Sequence, residues 1–329
     1  MVVGNFQCPL PTLSSPDPEI MHYSLVSRTR GTILGALIGE ILALKGEQVP
    51  NFASSYWQKM AILSAESLIE VGRFDLGDWS RRQQQSGIIL ENNTDAALQL
   101  ILATLPVALF FHEHAVKLRQ SLLHVVKIWQ NNPVVEDWTL AVGYAIALSL
   151  TEKLTPATLI PQIISFVGET PTSVPQTLLK LHNLLEKQAG LEITQAEFCT
   201  EEKLSHALAI AFYCFVSSLE DFRLSVLRST QVTSRSIYIS TITAALSGAY
   251  NATAGIPVSW RFLLAKNRAA QWQPTDLSQM VKLADTLVAT WSGVYDPTLH
   301  QGDVRAEWAI TLSDIPPEAI AAPRVIRLR

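Results

Sequence analysis

The sequence is short of cysteine, of charge and of long unbroken apolar runs. Its three cysteines among 329 residues, Cys8, Cys199 and Cys214, are widely spaced, with no CxxC pair and no zinc-type spacing. A disulfide framework and a zinc finger are both unsupported, and a reducing, cytoplasmic setting is expected. Charged residues make up 16% of the chain and the formal net charge is −4. Basic residues come only in short groups, Arg28/Arg30, Arg81/Arg82 and Arg324/Arg327/Arg329, each read as a solvated patch. That balance argues against a nucleic-acid partner held by phosphate contacts. The two longest apolar stretches, Gly31–Leu44 and Ala96–Phe111, fall short of the roughly 18–20 residues a spanning helix needs. Glu40 interrupts the first, and Gln99, Thr104 and Pro106 the second. Both predict buried core helices and no membrane span. The N-terminal residues lack a charged region followed by an apolar one, so no signal peptide is expected. Phosphate loops, dinucleotide fingerprints, nucleophile elbows, fixed-period repeats and strand alternation are missing as well.

What the chain does have is helical periodicity. Hydrophobic residues make up 48% of it, and from about Tyr23 onward they recur at three- and four-residue spacing. The pattern predicts helices at 24–45, 55–71, 76–86, 95–110, 115–130, 137–152, 155–168, 173–188, 201–216, 219–229, 236–253, 257–265 and 275–290. Residues 1–22, with four prolines, read as a loose leader, 23–293 as a single all-α domain, and 294–329 as a C-terminal extension. Gly31, Gly35 and Gly39 line one face of the first helix. Each costs that helix about 1 kcal/mol relative to alanine, which predicts a close helix–helix contact on that face. The small-residue segment Thr241–Tyr250 is the expected neighbour.

Two local clusters invite a site reading and are given a plainer one. His112-Glu113-His114 cannot aim both imidazoles at one ion on a helix, because residues two apart point about 200° apart; a helix-end surface cluster is expected. Asn92-Asn93-Thr94-Asp95 reads as a helix N-cap.

Three longer segments carry a resemblance. Arg30–Glu47 (RGTILGALIGEILALKGE), Tyr56–Asp75 (YWQKMAILSAESLIEVGRFD) and Asp221–Pro257 resemble motifs of the ADP-ribosylglycohydrolase family over roughly residues 24–292. The resemblance implies a compact all-α fold with two Mg²⁺ ions in a central cleft, where a metal-activated water cleaves the glycosidic bond of ADP-ribose. The helix Met60–Leu68 resembles the one that follows the family's Asp-Asp-Thr cluster, but Tyr56, Trp57 and Gln58 stand in place of that cluster. Arg235 and Ile237 stand at the two aspartates of the last motif, and Tyr238 at its threonine. Glu40 takes the aspartate position of the first helix, and Glu47 the later glutamate. Mg²⁺ prefers anionic oxygen ligands, so no metal and no cofactor is expected here.

The expected function is therefore a catalytically degenerate, pseudoenzyme member of this family that binds an ADP-ribose-like nucleotide or a protein partner. The alternatives are a hydrolase of altered, metal-poor mechanism using Glu47, and a structural subunit of a larger assembly. Candidate ligand-binding residues are Glu40, Glu47, Tyr56, Trp57, Arg235 and Tyr238. Glu40 is expected in a buried ion pair or hydrogen bond. Glu47 either touches a ribose or is a solvated loop residue. Tyr56 and Trp57 either stack a ring or plug the vacated cleft. Arg235 is expected to project toward Glu40 and Glu47 and replace the lost metal charge.

Overall fold

Gly31, Gly35 and Gly39 bring two backbones into direct contact, and the rest of the fold is arranged around that contact. The computed structural model describes residues 23–46, 56–232, 235–266 and 274–294; Glu47 and the proposed leader and C-terminal extension, except Val294, lie outside these. Helix α1 (Leu25–Gly46) runs antiparallel to α13 (Ser236–Gly255). A Cβ at Gly31, Gly35 or Gly39 would fall on the carbonyl oxygens of Gly248, Ala244 and Ser240 respectively. Partners step by four in both helices, in opposite directions. At Gly35 and Gly39 the added carbon would also lie 2.9 Å and 2.7 Å from carbonyl carbons, so α1 tolerates no side chain at these positions. Thr241–Tyr250 is the neighbour, as its composition suggests.

Along the chain follow α2 (Tyr56–Val71), α3 (Leu76–Ser86), α4 (Thr94–Ala103), α5 (Leu105–Phe110), α6 (Ala115–Trp129), α7 (Pro133–Leu150), α8 (Pro156–Val167) and α9 (Val174–Glu186). Then come α10 (Leu191–Phe198), α11 (Lys203–Val216), α12 (Phe222–Thr230), α14 (Val258–Lys266) and α15 (Pro274–Trp291). No strand occurs among the described residues. The fold is all-α. Helices α7, α11 and α12 pack on α13, while α14 and α15 flank α1; α2 lies between α15 and the α4–α5 pair. No described helix is long and apolar enough to cross a membrane.

The departures from the sequence pattern have local causes. The stretch 95–110 is two helices, because Pro106 has no N–H to continue the ladder and Thr104 Oγ1 donates back to the Ile101 carbonyl at 2.7 Å. Helix α7 begins four residues earlier than the apolar pattern implies. Pro133 suits the first helical position, and Asn132 accepts from the Val134 N–H at 3.0 Å. Helix α10, which the periodicity does not reveal, is eight residues long and buries only Thr194 and Phe198.

In two of the basic patches one arginine is not solvated, while its neighbour, Arg30 or Arg81, is exposed. Arg28 is buried: Nη1 donates to the carbonyls of Ser149 (3.0 Å) and Tyr250 (2.9 Å), and Nη2 to Glu152 at 2.9 Å. It satisfies the end of α7 and the turn of α13 before a break at Ala252, whose φ of 55° and ψ of −169° are not helical. Arg82 is largely covered and pairs with Asp78 and Glu70. Both arginines neutralise carboxylates that folding partly removes from water.

Two substitutions test this account by thermal melting. Gly35→Leu is expected to cost at least about 1–3 kcal/mol through overpacking. Ala252→Gly is expected to raise stability: the strained conformation stores about 1–3 kcal/mol, against the roughly 0.5–1 kcal/mol that glycine costs through lost entropy. An unchanged melting temperature in the first, or a lower one in the second, contradicts the packing described.

Candidate functional site

Four helix ends meet beyond the glycine seam: the later turns of α1 and the starts of α2, α4 and α13. Glu40 projects from α1 into this junction and is 1% exposed. A carboxylate removed from water needs donors. Trp57 Nε1 supplies one at 3.2 Å and Gln58 Nε2 another at 2.8 Å, both to Oε2. The two are consecutive residues of the first turn of α2. Trp57 is itself 1% exposed. Its ring is part of the core, and its N–H serves the acid behind it.

Beside this buried pair lies a more open polar chain. Gln99, on α4, accepts from the Tyr56 backbone N–H at 2.9 Å and donates through Nε2 to the Tyr238 hydroxyl at 3.2 Å. Burial pushes the Tyr238 phenol up to about 12, with the Asp95 and Glu40 carboxylates adding to the rise. At neutral pH it stays protonated. Tyr56 shows part of its ring to solvent and Ile237 is buried. Arg235 occupies the N-cap of α13 in the left-handed region, φ 54°. Its Nε donates to Asp95 Oδ1 at 2.8 Å, in a pair whose side chains are 26% and 50% exposed. Burial lowers the pKa of His206 on α11, and the nearby Arg235 charge lowers it further.

Arg235 therefore does not pair with Glu40. In place of the expected contact of Arg235 with Glu40 there are two separate arrangements, a buried Glu40–Trp57–Gln58 cluster and a half-exposed Arg235–Asp95 pair, while Glu47, the other expected partner, lies outside the described residues. The reason is reach: the N-cap position directs Arg235 toward the first turn of α4, where Asp95 stands. Asp95 and Gln99 were not among the sequence candidates. Asn93 does cap α4, accepting from the Ala96 N–H at 2.8 Å. Asp95 and Gln99 are four residues apart and so share one helix face, a signal that an apolar run obscured. His112-Glu113-His114 lies between α5 and α6, and His112 is buried instead of at the surface.

The groups assembled here are an indole N–H, two carboxamides, two phenols and a guanidinium, with two separated carboxylates as acceptors. Among the described residues no three His, Cys, Asp or Glu side chains group closely enough to hold a metal ion.

The sequence profile described as ADP-ribosylglycohydrolase matches residues 21–297. Among solved structures, the chain is similar to one titled "ADP-ribosylglycohydrolase-related protein complex", with a TM-score of 0.59 at 16% identity, covering 82% of this chain and 99% of that one. At that identity the likeness concerns the fold alone. No curated protein is matched by the sequence.

The two arrangements should respond differently to mutation. Trp57→Phe keeps the ring but removes a donor from a buried carboxylate, at an expected cost of about 1–3 kcal/mol. A double-mutant cycle of Arg235→Met with Asp95→Asn is expected to give a coupling of about 0–1 kcal/mol. Denaturant unfolding of the four variants measures both.

Proposed function

We propose that this chain, which belongs to the ADP-ribosylglycohydrolase family, is a catalytically degenerate member acting as a binding or regulatory protein. The observation that carries the reading is the engagement of Glu40. Its carboxylate already accepts the Trp57 and Gln58 N–H groups, so the first-helix acid is committed to structure. The neighbouring positions supply neutral donors and one cation. That set does not fit two Mg²⁺ ions, which call for hard oxygen ligands including carboxylates, and we propose that both ions are lost. Where bound in the family, such ions provide an activated water; this chain's residues instead hold one another.

Tyr56, Tyr238 and Gln99 remain as a partly exposed polar and aromatic rim, suited to an ADP-ribose-like nucleotide or to a protein partner. The burial of Trp57 favours the plugged form of the cleft, and with it the protein-partner or structural-subunit form of the reading. We place the protein in the cytoplasm, in keeping with its few, widely spaced cysteines; of these, Cys199 and Cys214 carry free thiols.

The test is hydrolysis of ADP-ribosylated arginine and serine substrates with and without Mg²⁺, beside a Glu47→Ala control. No release above the control is expected. Mg²⁺-dependent turnover above it refutes the degenerate reading, whereas metal-independent turnover lost in Glu47→Ala favours the altered hydrolase. A thermal-shift titration with ADP-ribose separates the remaining readings, since a ligand of the native state raises its melting temperature.

A further inference from the structure

His112 sits in the short connection between α5 and α6 and is 7% exposed. Its Nδ1 lies 2.8 Å from the Leu109 carbonyl oxygen, so the neutral ring carries its proton on that nitrogen. The ring meets Trp291, in the last turn of α15, at a centroid distance of 4.8 Å and an interplanar angle of 45°. Polar ties among the described residues at the outer edges of α15 include Arg30–Asp285 and Gln279–Glu66. Beneath it, Met280, Leu283 and Leu287 face Ile33, Ala61 and Pro106 across a small apolar gap. The last turn of α15 thus packs through Trp291 on the core and, within it, on a titratable ring.

We propose that His112 is an acid-operated latch for the C-terminal turns of α15. Neutral, the imidazole packs against the indole and the helix end stays docked. Protonated, it must regain water, and the helix end is released. Burial lowers the His112 pKa, helped by His114 and opposed by the Leu109 carbonyl and Glu113. Helix α5 and the α15 residues from Thr286 onward to Val294 bring no charged side chain to it. The charges farther along α15 act elsewhere: Asp285 is held by Arg30, and Glu66 is raised by its own burial. A released His112 takes its proton near the ordinary value of about 6.5, and the docked ring only at lower pH. Docking is therefore at full strength above that value and weakens as pH falls through the lowered pKa. A cation over the indole face recovers part of this cost, but not the hydration the buried ring gives up.

The test is hydrogen exchange on the full chain from about pH 7 to about pH 5, a range that brackets the ordinary histidine value. After correction for intrinsic rates, protection of the last turn of α15 is expected to fall by up to about tenfold per pH unit, with α7 unaffected. In His112→Gln that pH dependence is expected to disappear. The same fall in His112→Gln, or no fall in the native chain, overturns the proposal. Because the variant alone can loosen the helix, the imidazole is also titrated by NMR in the native chain. A His112 that titrates below the ordinary value, and moves toward it in Trp291→Ala, supports the latch; one that titrates at the ordinary value with Trp291 in place overturns it.

Discussion

The contact of α1 with α13 is made by backbone, and everything else in the molecule inherits its geometry. Each glycine in that seam weakens its helix by about 1 kcal/mol. The return is many close dispersion contacts between two main chains, each small and together large. Small residues on both sides are what the contact demands, and it places no requirement on the chemistry of residues facing the other way. Scaffold and site are therefore physically separable here, although the same two helices carry both.

That separability accounts for the condition of the site. The positions that face away from the seam carry an indole, a phenol, a guanidinium and an aliphatic chain beside one buried acid. The polar groups left behind are satisfied locally. Glu40 has Trp57 and Gln58, Arg235 has Asp95, and Tyr238 has Gln99. A buried carboxylate without such donors would be expensive, so the indole at position 57 is better described as a replacement donor than as an inert plug.

The all-α class, most helix positions and the glycine seam were legible in the sequence, because each leaves a period: 3.6 for an amphipathic face, four for a close-packed stripe. The family was legible through the motifs that frame these positions. The pairing of those positions was not. Asp95 and Arg235 are 140 residues apart, and Gln99 and Tyr238 are 139 apart, and nothing in a linear pattern says which acid a guanidinium will reach. Nor does the pattern disclose Ala252, an alanine held in a conformation glycine prefers. There the demands of Arg28 and Asn251 on neighbouring carbonyls override local preference.

The seam also has a consequence in time. Ser27 and Thr253, which meet at its outer end, are 226 positions apart. At about 5–20 residues per second, synthesis leaves α1 waiting on the order of ten to fifty seconds before α13 has been made. Throughout that interval its small, apolar face is uncovered, and the later helices have no central axis on which to assemble. A ribosome-bound chain of this kind carries an uncovered apolar stripe. Its vulnerability to aggregation is then set less by the stability of the finished protein than by the order in which its two central helices are made.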